Sequence, residues 1–326
     1  MDKQALTPEF WDVFVRDYWN QKPVVFKGVL PKDLLTDMDV LQAFGNYAED
    51  SLSQGQKPPS KRKGGFARLF VEGRQIGPME LIKFMPQGSN LTEYVGAVGA
   101  TFGGARVGVI LNDVELFNER AAKAIRGVVA PLIERIGIPA KNVESTIFAG
   151  DYDVTPFGIH KDESADVLTL IIAGKKQMLV WPQEYFDEHP ERLQMLPLGN
   201  EAISHFIQDA TVLEAHPGDL MYWPGSAYHV ATSAGGVVAT CGIGFWHKAL
   251  LSDAVGELVR ELVASKLGSQ NTVVAAWKPG SVPPALQGTE DVLRQLVASG
   301  EFQKALAQAW QGRVERLGFL ANDPAK

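Results

Sequence analysis

The residues with the clearest chemical potential are His160 and Asp162, with Lys161 between them, and His229 far downstream in the string PGDLMYWPGSAYH. On an extended strand, side chains two apart project to the same side, so His160 and Asp162 can converge on one point. A histidine from a later antiparallel strand then completes one face of an octahedron. Two imidazoles and a carboxylate on one face leave the opposite positions open, which is the arrangement of non-haem Fe(II) oxygenase sites. An HxD pair alone is a common coincidence. Its bland reading is a surface His–Asp pair, with His229 a satisfied core histidine. Three features favour the metal: the pair opens a strand-rich block, a Pro-Gly-Asp turn and an aromatic run precede His229, and lysines sit on the strand after the pair. His189, His205, His216 and His247 stand apart from this set and read as structural or exposed.

The elements that must position these residues follow from hydrophobic spacing. Residues 142–246 run as short Val-, Ile- and Thr-rich stretches (ESTIFAG, DVLTLIIAG, KQMLVWP, TVLEAHPGD, LMYWPG, YHVATSAGG, VVATCGIGFW) between turn residues, which predicts an antiparallel sandwich or barrel. PGD at 217–219 and SAGG at 233–236 read as hairpin turns. Upstream, Thr7–Asn20 has a capping threonine, a first-turn proline and apolar residues at helical spacing. A short strand-like run, KPVVFKGVL, follows. Residues 50–66 read as an exposed loop, Pro78–Phe84 as a helix, Ala105–Leu111 as a strand, and Glu119–Ile136 as a helix that Pro131 can interrupt. The insertion from Gln183 to Asp209 reads as a helical excursion. Beyond 249 three helical stripes return, separated by a Pro/Gly-rich linker at 278–288.

A chain of 326 residues holds one large domain with an appendage, or two domains. Its net charge of −7 argues against bare nucleic acid or an anionic membrane as partner. The basic stretch Lys57, Lys61, Arg62 and Lys63, beside two prolines, reads as a solvated loop. Cys241 is the only cysteine, so no intramolecular disulfide forms, which suits a reducing cytosol. With no basic-then-apolar leader and no membrane-length apolar run, the expected location is cytoplasmic.

GIHKDESADVLTLIIAGKKQMLVWP, joined to PGDLMYWPGSAYHVATSAGG and GFW, resembles the JmjC-type and cupin-like hydroxylases, among them asparaginyl hydroxylases and ribosomal-protein oxygenases. FWDVFVRDYWNQKPVVFKGVL resembles the helix and first strand that open such enzymes, and the likeness covers about residues 8–247. The resemblance implies a mainly β chain with a double-stranded β-helix (cupin or jelly-roll) core at about 142–247. That core lies in a catalytic domain at 1–248 with N-terminal helices, and a C-terminal helical region at 249–326 is similar to accessory or dimerisation helices. It also implies Fe(II) on His160, Asp162 and His229, and a basic residue on the strand after the HxD pair that holds the distal carboxylate of 2-oxoglutarate. Lys175 and Lys176 both stand there and face opposite sides; the count from Gly174 to Trp181-Pro182 favours Lys176.

Thr169 can donate to the same carboxylate or merely fill space. Asp166 reads as an orienting group or a turn residue, and Trp246 as a closing wall or as packing. The implied activity consumes 2-oxoglutarate and dioxygen, releases succinate and carbon dioxide, and hydroxylates a protein, peptide or amino-acid-like side chain. FGGARVGVILNDVELFNE and the 183–209 insertion are expected at the mouth. Ser226 lacks a GxSxG elbow, so no nucleophile competes for the role. Three rivals remain. A cupin metalloenzyme that does not use 2-oxoglutarate more often shows three or four histidines with a glutamate. A non-catalytic cupin that binds a small ligand leaves the lysine without a task, and a dimeric scaffold needs no metal set.

Overall fold

Thr7 starts the chain's first helix by accepting the Phe10 N–H at 3.2 Å, and Pro8 occupies the first turn of α1 (Pro8–Asp17). The computed structural model describes residues 6–53, 67–77, 86, 88–162, 164–233, 235–247, 251–267 and 284–319. The expected helix at 78–84 and the basic stretch at 57–63 lie outside the described residues. After α1 come β1 (Val24–Phe26), α2 (Asp37–Ser53), β2 (Ala67–Val71), β3 (Arg74–Ile76), α3 (Leu91–Thr101), β4 (Val107–Asn112) and α4 (Glu119–Ile136). Helix α2 extends into the stretch read as loop from residue 50. It and α3 escaped the periodicity reading: α2 buries residues on several faces, and α3 carries Gly96 and Gly99, poor helix formers. Helix α4 runs unbroken across Pro131, because Ile125, Val128, Val129, Leu132 and Ile133 hold both halves on the core.

The β-rich block supplies β5 (Asn142–Gly150), β6 (Ala165–Ala173), β7 (Lys176–Trp181), β8 (Thr211–Ala215), β9 (Leu220–Trp223), β10 (Tyr228–Ser233) and β11 (Val238–Trp246). An eight-stranded sheet has the order β1-β9-β6-β11-β5-β4-β2-β3, and a three-stranded sheet the order β10-β7-β8. The segment before His160 lies along the free edge of β10 through bridges Val154↔Thr232 and His160↔His229. Strands β9, β6, β11 and β5 thus face that segment, β10, β7 and β8, with the chain crossing repeatedly between layers. This is a double-stranded β-helix of the cupin type.

That crossing corrects the hairpin reading. PGD joins β8 in the small sheet to β9 in the large one, and SAGG joins β10 to β11 in the same way. Both are corners, because a two-layer core closes around a cavity only if the chain changes layer at its turns.

Side chains on the large sheet alternate with period two. Leu168, Leu170, Ile172, Cys241, Ile243 and Phe245 belong to the outer core with Trp11, Phe14 and α4, while Val167, Thr169, Thr240 and Gly242 face inward onto a cavity. A tail of α5 (Leu251–Leu267), α6 (Pro284–Ala298) and α7 (Glu301–Glu315) follows, so the expected linker at 278–288 gives way to helix at Pro284. Among the described residues no helix is long and apolar enough to cross a membrane.

Gly174 makes the corner that fixes which of the two following lysines points inward. Its φ is +71°, and a Cβ built on it would lie 2.4 Å from the Val237 carbonyl oxygen. Gly73 has φ +73° with open space around it. Gly73→Ala should therefore cost about 1 kcal/mol, the left-handed penalty alone, and Gly174→Ala clearly more, about 2 kcal/mol or above, in urea unfolding. Equal losses would show that the Val237 contact relaxes freely.

Candidate metal centre

His160 and His229 are joined through their backbones before their side chains do anything. His160 N–H donates to the His229 carbonyl at 3.0 Å, and His229 N–H donates back at 2.7 Å. Directly opposed residues of an antiparallel pair project to the same face, and the two imidazole centroids stand 4.5 Å apart. The ring Nδ1 of His160 lies 3.0 Å from the Gly158 carbonyl, and that of His229 lies 3.2 Å from the Ala227 carbonyl. A carbonyl only accepts, so each Nδ1 carries the hydrogen and each Nε2 keeps its lone pair for a metal. Asp162 arrives from a loop rather than a strand, with its Oδ2 3.6 Å from His229 Nε2. One ligand atom from each of the three lies within 4.8 Å of the others, a span a single ion can bridge. The donor set, two imidazoles and a carboxylate on one side, fits iron(II) with open positions beyond it.

The intervening Lys161 turns outward and donates to Asp187 at 2.8 Å; Tyr228, which precedes His229, donates to the same carboxylate at 2.6 Å. These hydrogen bonds pull the Asp187 pKa down to about 2. The 183–209 insertion thus ties both ligand-bearing segments together from outside. Its apolar residues pack around Trp181 and Phe186, and it does not line the metal cavity as expected; Asn200 reaches only a neighbouring cavity of about 300 Å³.

The three candidate ligands open onto a cavity of about 360 Å³ between the two sheets. Its floor crosses four strands in register: Asn112, Thr146, Gly242 and Thr169. Gly242 leaves that floor open at its centre, where an added Cβ would stand in the cavity 3.7 Å from Phe148. At the far end is Lys176, 3% exposed, whose Nζ donates to the Tyr152 hydroxyl at 3.1 Å. It sits four residues along β7 from Val180, the partner of His229, so about 13 Å of strand separates the two positions. Lys175 points the other way and pairs with Glu214 at 2.7 Å. Trp223, 5.1 Å from the His229 ring, and Phe157, 6.0 Å from the His160 ring, wall the site, and Trp246 lines its outer end.

Asp166 faces away from the cavity. It accepts from the Tyr222 hydroxyl at 2.7 Å and lies 2.9 Å from His247 Nε2, a buried polar link to the helical layer. Arg68, Asn112, Glu144, Thr146 and Tyr152 were not singled out from the sequence. The alternation of Glu144, Thr146 and Phe148 in ESTIFAG and the glycines of CGIGFW were the available signals: polar residues at period two, and glycine inside a central strand.

No protein-family model matches the sequence, and no curated protein matches it. Among solved structures, YcfD, a ribosomal oxygenase from Escherichia coli, is 17% identical and aligns over 90% of this chain and 68% of its own, with a TM-score of 0.45. YcfD in complex with cobalt and 2-oxoglutarate gives 17% identity over 90% and 68% of the two chains, with a TM-score of 0.44. An RmlC-like cupin with a double-stranded β-helix from Methanocaldococcus jannaschii is 12% identical over 34% of this chain and 75% of its own, at a TM-score of 0.23. The chain spans about two thirds of the length of the YcfD chains. Fold and site together define a cupin-type double-stranded β-helix that presents a two-histidine, one-carboxylate face to an internal cavity.

Burial pushes the His229 imidazole pKa down to about 4, with Asp162 pulling it back up. The ordinary value is 6.5, so between about pH 6.5 and 4 the unfolded chain takes up a proton that the folded chain refuses. Stability therefore falls as pH drops through that window. In the metal-free protein the urea midpoint should decline from pH 7 to pH 5 more steeply than in His229→Gln. Matching slopes would assign the titration to other groups.

Proposed function

We propose that the chain is an Fe(II)- and 2-oxoglutarate-dependent dioxygenase that hydroxylates a protein, peptide or amino-acid-like side chain, with its catalytic domain at 1–248. The observation that carries this reading is Lys176. Its ammonium is buried in the same cavity as the open face of His160, Asp162 and His229, and its hydrogen-bond partner among the described residues is a neutral phenol. A buried charge without a counter-ion costs several kcal/mol, a cost that a bound anion offsets. A dicarboxylate that reaches from the ion to Lys176 meets both demands.

When bound, iron and 2-oxoglutarate supply the oxidising power: dioxygen gives one oxygen atom to succinate as carbon dioxide leaves, and the other to a substrate C–H bond. The chain's own residues bind and orient. His160 and His229 offer Nε2 because their Nδ1–H groups are held by carbonyls, and Asp162 supplies the charged ligand. Lys176 and Thr169 would receive the far carboxylate, and Trp223 and Phe157 would wall the ion. The reaction asks no general acid or base of the protein. A cytoplasmic setting belongs to this proposal, supported by the single, buried Cys241.

A homodimer through the helical tail at 249–326 is also part of it. Val297 is 69% exposed on α6 and Trp310 57% on α7, in line with Leu293, Leu306 and Val314 at four-residue spacing. Trp310→Glu should convert a dimer to a monomer in sedimentation velocity; a wild-type monomer would remove the dimer from the proposal.

The reading is tested by anaerobic titration with Fe(II) and then 2-oxoglutarate, which should raise the weak visible charge-transfer band of the chelate in wild type and not in His160→Ala. Lys176→Ala should raise the 2-oxoglutarate concentration needed by about tenfold or more, the scale of a charge-assisted contact, and Lys175→Ala should leave it unchanged. Iron binding without the band would point to a cupin chemistry that does not use 2-oxoglutarate. An effect of Lys175→Ala alone would move the anchor.

A further inference from the structure

Arg68 enters the metal cavity from β2 and is neither a metal ligand nor a partner of Lys176. Its Nε is buried with no hydrogen-bond partner among the described residues. Its Cζ lies 5.6 Å from the centroid of Phe157, whose ring also stands 5.7 Å from Phe70 and 6.0 Å from the His160 ring, so one phenyl ring lies between the guanidinium and the metal face. Burial pulls the Arg68 pKa down and Glu144 pulls it up, and among the described residues no hydrogen bond joins the two. The neighbouring stretch 54–66 contains no aspartate or glutamate.

We propose that Arg68 is the specificity residue for the primary substrate, and that this substrate carries a carboxylate a few bonds from the oxidised carbon. The inference rests on the oxygenase reading for the word substrate. With iron and 2-oxoglutarate in place, their charges cancel, as do those of Lys176 and Asp162, and Glu144 offsets the charge of Arg68 without taking its hydrogen bonds. The guanidinium donors are therefore open to an acceptor that enters the cavity, with the Arg68 stem and Phe157 setting where it can lie. A planar guanidinium presents paired donors that match a carboxylate, and one positive charge balances one negative charge better than it balances a phosphate dianion. The carboxylate can belong to an aspartate or glutamate side chain within a peptide or to a free acidic amino acid, and these sources are told apart by the probes used.

The test is calorimetric and needs no turnover. The protein is loaded with Zn(II), titrated with 2-oxoglutarate, and then titrated with capped tripeptides that differ only as Asp versus Asn or Glu versus Gln, and with free aspartate and glutamate. An acidic probe should bind about tenfold or more tightly than its amide, with the gap closed in Arg68→Gln and partly kept in Arg68→Lys. Preference for the tripeptide or for the free acid identifies the source. Acid and amide binding alike, neither binding, or Arg68→Gln weakening 2-oxoglutarate instead of the probe would each overturn the proposal. Should 2-oxoglutarate itself fail to bind, the oxygenase reading falls, and the same acid–amide comparison on the Zn(II) protein still decides the role of Arg68. Unfolding midpoints of both variants close to wild type confirm that the loss is one of recognition.

Discussion

The pair of backbone hydrogen bonds between His160 and His229 is the constraint on which the centre depends. It joins a segment that has almost no regular structure of its own to the edge of β10, and it does so at the two residues whose side chains must meet. A one-residue slip in that pairing would turn one imidazole to the opposite face. Register is therefore held from several sides. Thr155 N–H donates to Ala231 further along the same edge, and Asp187 grips the residues next to the ligands from the insertion. The carbonyls of Gly158 and Ala227 then fix the ring orientation.

The cavity follows from the two sheets closing around a strip with few large side chains. Gly242, flanked in register by Thr146 and Thr169, keeps the floor low where a bulkier residue would fill it. Charges are sparse and separated along this space: Asp162 at the metal face, Lys176 at the far end, and Arg68 on β2 with Glu144 on β5. In a low-dielectric setting, a few fixed charges at set positions determine which ligand can enter and in which direction it lies. Outside the sheet, the polar link of Asp166 with Tyr222 and His247 ties the layer bearing α1 to the barrel without touching the cavity.

The sequence by itself determined the strand block, the first and last helices and the ligand types, though not α2 and α3. The alternating strands of 142–246, the capped first helix and the tail helices were legible because burial on one face imposes a fixed period on a strand or helix. The His160, Asp162 and His229 set stood out because its chemistry is rare in that combination. Tertiary structure alone decided the rest. PGD and SAGG have the residues of hairpins and serve as corners, since a turn's chemistry does not say which sheet the next strand joins. Asp166 and Thr169 lie three residues apart on one strand and were both candidates for the site. The pleat sends Thr169 to the cavity and Asp166 to the helical layer, and the register with β9 and β11 settles which face is which. Arg68 and Asp187 became visible only when distant segments met, because a side chain's partners across space leave no local pattern in the chain.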